Sequence, residues 1–163
     1  MHPTDLTVAA VVERDDEYLL IEEQAMGRRV ITQPGGHIEA RESPEQAVVR
    51  EVVEESGCTV ACRDVIGAYL WIHPHSRQQF LRIVYAADFI SCDESATLDA
   101  GIFGRLWLTL DELQRRRASL RTPGVLRCVE DYRAGRRHSR RFISGLRPLQ
   151  HNVLRILATA EVL

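Results

Sequence analysis

Residues 43 to 57 specify both ends of one helix, and that element sets the terms for everything packed around it. Ser43 is an N-cap, Pro44 sits where a missing N–H costs nothing, and Gln46 at the third helical position completes a capping box. Gly57 supplies the left-handed residue that ends a helix. The pattern predicts a helix over 44–56 with Ala47, Val48, Val49 and Val52 on its core-facing side. Just upstream, Pro34-Gly35-Gly36 combines a fixed φ with free ones and so allows a sharp reversal of the chain. A helix with one apolar face must bury it against another layer, and the rest of the sequence says which kind.

Most of the remaining apolar runs are β-like. Leu6 to Val12 and Tyr18 to Glu22 flank the charged turn 13–17 as a hairpin, and Val30 to Gln33 forms a short third run. Val65 to Ile72 and Phe80 to Ile90, rich in β-branched and aromatic residues, read as antiparallel neighbours joined by the polar loop 73–77. Leu106 to Leu108 is another strand, and Thr109 with Glu112 repeats the capping-box signature before a helix through about Arg117. Pro123 to Arg133 reads as a helix stopped by Gly135, and Pro148 to Val162 as a terminal amphipathic helix with Leu149, Val153, Ile156 and Leu157 on one stripe. The expectation is one domain over 1–163 of the α/β (α+β) class, a mixed sheet sandwiched between helices.

With 45% hydrophobic and 27% charged residues, the composition excludes a disordered or fibrous chain. No apolar run approaches the roughly 20 residues that span a bilayer. The first residues also lack a basic region followed by an apolar one, so the expected location is cytoplasmic. The spacing of Cys58, Cys62, Cys92 and Cys128 matches neither a disulfide framework nor a zinc ribbon, and all four are expected to be buried or incidental thiols. All 21 basic residues are Arg, concentrated between Arg115 and Arg147. The absence of Lys points to a codon bias, so a solvated surface is favoured over a nucleic-acid face.

The chemistry is concentrated on the capped helix. Glu51, Glu54 and Glu55 stand at i, i+3 and i+4 and project from one face. Like charges repel there, and the C-terminal half of the helix dipole adds to the cost. Arg50 is the adjacent cation, able to orient one carboxylate but not to neutralise three. A hard divalent ion, Mg²⁺ or Mn²⁺, would remove the repulsion. A solvated acidic face is the competing reading for an isolated E-x-x-E-E.

The surrounding residues decide between them. From Gly36 through Glu42 and on to Arg50-Glu51-Val52-Val53-Glu54-Glu55-Ser56-Gly57-Cys58, the chain follows the pattern G-x5-E-x7-R-E-U-x-E-E-x-G-U, where U is aliphatic, and so resembles the Nudix hydrolases. Cys58 in the last aliphatic position is the one departure. The resemblance implies a loop-helix-loop site on a sheet between helices and hydrolysis of phosphoanhydride bonds. It implies catalytic roles for Arg50, Glu51, Glu54 and Glu55, with Glu51, Glu54, Glu55 and the Gly36 carbonyl as metal ligands. It implies that Glu42 braces the loop, and that a later-loop acid, Asp93, Glu94 or Asp99, joins the ligands. Which carboxylate serves as general base stays open.

Segments around Gln33, Trp71, Arg82 and Arg121 are also similar to one bacterial phosphatase branch of that family. That likeness implies phosphate release from nucleoside di- and triphosphates and thiamine-pyrophosphate-like substrates. Trp71 would stack on a ring, and Arg82 and Gln33 would contact phosphate or ring edges; a core position for Trp71 is the bland alternative. A nucleotide-sugar or dinucleotide pyrophosphatase of the ADP-ribose type is the runner-up, and a non-catalytic nucleotide-sensing module the reading from another class. The partner is a small phosphorylated molecule, with nucleic acid and membrane disfavoured and a monomer or homodimer equally compatible. His73 and His75 lack further ligands and read as loop residues rather than a zinc site.

Overall fold

A computed structural model describes residues 4–25 and 27–143. The predicted terminal helix over 148–162 lies outside the described residues. The strands are β1 Thr4–Arg14, β2 Glu17–Ala25, β3 Arg28–Thr32, β4 Cys58–Ile72, β5 Gln79–Cys92 and β6 Ile102–Thr109; the helices are α1 Pro44–Ser56, α2 Leu110–Arg115 and α3 Gly124–Arg133. Strands run in the order β3-β2-β1-β5-β4, with β6 also paired to β2. The sheet is mixed, since β1 and β5 are parallel and the other pairs antiparallel.

Both faces of the sheet are covered, as the buried run of β1 requires. Val8, Ala10 and Val12 point with Leu19 and Tyr85 toward Ala47, Val48 and Val52 of α1. Ala9 and Val11 point the other way, with Tyr18 and Leu20, toward Leu113 of α2 and Val125 and Val129 of α3. The predicted sandwich is therefore the observed one. No helix among the described residues is long and apolar enough to cross a membrane.

One departure from simple pairing builds the site. Asp15 and Asp16 both have positive φ, 53° and 65°, and turn β1 into β2 through a two-residue hairpin. The two strands then pair only at Glu13–Tyr18 and Arg14–Glu17 before separating. From Ile21 onward β2 pairs with β3, β6 lies along β2 from Glu17 to Glu23, and the freed edge of β1 receives the glycine loop instead. Val8 N–H donates to Gly36 O at 2.9 Å and Ala10 N–H to Pro34 O at 3.1 Å.

The structure corrects three local expectations. β4 begins at Cys58 rather than Val65, directly after the helix cap. Its polar Arg63-Asp64 pair hides the continuity, because Cys62 pairs with Ala87 and Val65 with Tyr85, leaving a bulge between them. Cys58 and Cys92 then lie opposite one another and form a disulfide, leaving Cys62 and Cys128 as thiols. The helix after Thr109 ends at Arg115 and is followed by a 3-10 turn over Arg117–Ser119. The Arg-rich stretch is partly neutralised internally: Arg121 pairs with Glu23, Arg127 and Arg136 with Asp131, and Arg133 with Asp16.

Candidate active site

Both ends of α1 are capped as predicted. Ser43 accepts from Gln46 N–H, Gln46 returns a bond to Ser43 N–H, and Gly57 at φ 67° directs its N–H to Val53 O. This fixes the phase of the helix, which carries Glu51 inward with Val48 and Val52 and leaves Glu54 half-exposed. Glu51 packs directly on the glycine loop. A side chain at Gly36 would place its Cβ 2.5 Å from Glu51 Oε1, so only glycine admits the carboxylate there. Glu55 reaches the neighbouring residue and accepts Gly35 N–H at 2.7 Å.

Arg50 does more than orient one acid. Its Nε and Nη2 grip Glu42 at 3.1 and 2.7 Å, Nη2 also donates to His37 O at 3.1 Å, and Nη1 donates to Glu51 and Glu54 at 2.8 Å each. Loop and helix are thus held by one guanidinium. Glu42 also accepts Glu39 N–H at 2.7 Å, so it braces the loop from within. The fork on Arg50 keeps the Glu42 carboxyl below its usual range despite some burial.

Glu55 has no such partner. Burial pushes its carboxyl up to about 8, the charges of Glu51 and Glu23 add to the rise, and Gly35 N–H and Arg82 only partly offset it. Burial likewise raises Glu51 against the pull of Arg50, with Glu54 and Asp99 contributing in the same direction. Two buried carboxylates disfavoured as anions, with a third beside them, form a set of hard oxygen donors short of positive charge, which fits a divalent cation. Among the described residues no three acids yet converge to metal-binding distance, because Arg50 Nη1 stands between Glu51 and Glu54. The Gly36 carbonyl is committed to Val8 N–H, which leaves it one lone pair to offer.

Of the later-loop acids, geometry favours Asp99. Its N–H donates to Glu54 O at 3.0 Å at the end of α1, and its charge acts on Glu51. Asp93 instead caps Ser95 at 2.8 Å through the backbone and 2.7 Å through the hydroxyl, and Glu94 pairs with Arg105.

Gln33, Trp71 and Arg82 meet around one small cavity of about 60 Å³, together with Tyr69, Phe80 and Arg121. Gln33 is buried and ties β3 to α3 by donating to Val125 O at 2.7 Å. Among the described residues Arg82 makes one hydrogen bond, a long one of 3.4 Å to Thr7 Oγ1, while burial and the nearby Arg121 disfavour its charge. Trp71 is half-buried, edge-on to His73 and tilted against Phe80, at the rim of the cavity rather than in the core. The His73 and His75 rings lie tilted by 58° with centroids 5.9 Å apart, and among the described residues no group of three or more metal-ligating side chains forms. Glu23 is a site residue that the sequence did not flag. It sits within the polar run Glu22-Glu23-Gln24, and only the fold turns it toward Arg121 at 2.6 Å and into the field of Glu55.

Comparison with known proteins agrees with this geometry. The NUDIX domain family model matches residues 3–127. Phosphatase NudJ of Escherichia coli K12 is 30% identical over 138 residues, covering 85% of this chain and 89% of that protein. A NUDIX hydrolase from Nitrosomonas europaea superposes with a TM-score of 0.85 at 38% identity, covering 88% of this chain and 98% of that one. A bifunctional NMN adenylyltransferase/ADP ribose pyrophosphatase from Francisella tularensis, solved with AMP and a Mn ion, shares the fold at 23% identity and a TM-score of 0.62, over 74% of this chain and 38% of that one. The chain belongs to the Nudix hydrolases, enzymes that cleave phosphoanhydride bonds.

Proposed function

We propose that this hydrolase releases inorganic phosphate from nucleoside di- and triphosphates and from thiamine-pyrophosphate-like diphosphates, using Mg²⁺, with Mn²⁺ as a substitute. The observation that carries the reading is the shared cavity of Gln33, Trp71 and Arg82, whose guanidinium lies in the electrostatic reach of Glu55. A diphosphate bridging the two would meet its cationic contact and the acidic helix together.

In this reading Glu51, Glu54 and Glu55 would hold the cation with Asp99, and Gly36 would be a lesser donor. When bound, the cation offsets phosphate charge and activates a water for attack on phosphorus. The remaining work belongs to the chain. Arg50 fixes the spacing of Glu51 and Glu54 against Glu42, and Gly35 N–H holds the Glu55 carboxylate in place. Arg82 offers a guanidinium with one long bond among the described residues, and so binds phosphate at little cost in those contacts. Trp71 presents a ring face to a base or pyrimidine.

The test is a product screen with Mg²⁺ and Mn²⁺ across nucleoside diphosphates, nucleoside triphosphates, thiamine pyrophosphate and ADP-ribose. Phosphate from the first three classes is the expected result. Turnover confined to ADP-ribose with AMP as product would replace this reading by the pyrophosphatase one, and turnover unaffected by chelation would remove the metal from it.

A further inference from the structure

A much larger cleft, of about 870 Å³, opens from the small cavity, and the two share Trp71, Arg121 and Thr122 as walls. It lies between the end of β4 with its loop and the segment from Arg117 to Leu126. Its volume suits a ligand larger than the ring that Trp71 alone would cover. Its lining includes the apolar side chains of Ile72, Leu120, Pro123 and Leu126 and two exposed cations, Arg28 and Arg117.

Charge separates these two from Arg121, the third arginine lining the cleft. Arg121 is matched by Glu23 at 2.6 Å. Among the described residues no carboxylate pairs with Arg28 or Arg117. Arg28 opens β3 and Arg117 belongs to the following 3-10 turn; the two are brought to one cleft because Ile31 pairs with Leu120 and Arg121 N–H donates to Ile31 O at 2.9 Å. Two unmatched guanidiniums over an apolar wall, continuous with the Trp71 rim, describe a receptor for something flat that carries an anion.

We infer that the preferred substrates are organic diphosphates whose organic part carries a ring and, branching beside it, a second anionic group bound by Arg28 and Arg117. The inference deepens the proposed function and rests on it for the orientation of the ligand: diphosphate at Arg82 and the acidic helix, ring at Trp71, second anion at Arg28 and Arg117. It also gives a role to part of the Arg-rich segment that the hydrolytic site leaves unused.

The experiment compares adenosine 5′-diphosphate with its counterparts bearing an extra phosphate on the ribose 2′ or 3′ oxygen, in the parent and in Arg28→Ala/Arg117→Ala. At least one phosphorylated counterpart should show a tenfold higher kcat/KM than the plain diphosphate in the parent, and the ratio should fall to within twofold in the variant. A parallel calorimetric titration without metal uses adenosine 2′,5′- and 3′,5′-bisphosphate against AMP, and the same tenfold preference should appear and be lost. A preference absent in the parent, or retained in the variant, overturns the inference. Preserved binding preference with no phosphate released from any diphosphate would instead overturn the proposed function and leave the cleft assignment standing.

Discussion

A single nitrogen of Arg50, Nη1, is shared between the carboxylates of Glu51 and Glu54 at 2.8 Å each, while the other side of the same guanidinium holds Glu42. A planar fork can do this and an ammonium cannot. Arg50→Lys keeps the charge but loses the two-point grip on Glu42, so loop and helix lose their common reference. The expected result is a fall in kcat/KM of roughly 10–100-fold, the range seen when groups that orient metal ligands are lost. Steady-state kinetics over a Mg²⁺ titration measures it. Activity within twofold of the parent would mean that charge alone, not the shared geometry, matters at this position.

Glu55 offers a separation of stability from catalysis. The burial of its carboxylate beside Glu51 and Glu23 is unfavourable in the metal-free protein, so Glu55→Gln should leave the metal-free Tm unchanged or raise it. In the parent, Mg²⁺ at about 100 times its Kd should stabilise the fold by about 2.7 kcal/mol. The variant should lose most of that thermal shift and orders of magnitude in turnover. A full Mg²⁺-induced shift in Glu55→Gln would place the cation elsewhere.

What the sequence made legible was local. The caps of α1, the one-face spacing of its carboxylates and the glycine loop are each encoded within a few residues, and the structure has them where the pattern predicts. What it concealed depends on register. The start of β4 was masked by the bulge at Arg63-Asp64, and with it the facing of Cys58 and Cys92, 34 residues apart. The packing of Asp99 against the end of α1, with its N–H on Glu54 O, joins distant segments that no local pattern encodes. The threefold reach of Arg50 likewise requires the loop to be laid along β1, which follows only from the splaying of β1 and β2.

The Cys58–Cys92 disulfide joins the residue that follows the cap of α1 to the end of β5, just before the loop that carries Asp99. Closing a loop of this length stabilises by roughly 3–4 kcal/mol through the unfolded chain. Reductant should therefore lower the urea midpoint of the parent and have no effect on Cys92→Ser, which should match the reduced parent. A parent whose midpoint is indifferent to reductant would show that the bond contributes nothing to stability.

Asp131 of α3 gives the protein an acid-sensitive anchor. It is buried, accepts the Tyr69 hydroxyl at 3.0 Å across to β4, and is flanked by Arg127 at 3.0 Å and Arg136 at 3.3 Å. Burial opposes its charge, but the bonds from Arg127 and Tyr69 and the charges of Arg127 and Arg136 outweigh it and hold the carboxyl below its ordinary value. A depressed folded value contributes stability that is fully present above the unfolded value of about 3.9 and is lost as pH falls through the folded one. Asp131→Asn should cost about 1–3 kcal/mol at pH 7, where the parent carboxylate is charged and bonded. The deficit should narrow as pH drops below about 4, because the parent then loses the same interaction by protonation. Denaturant titrations at pH 7 and pH 3 read both values, and an equal deficit at the two would mean that Asp131 acts through its shape and not through its charge.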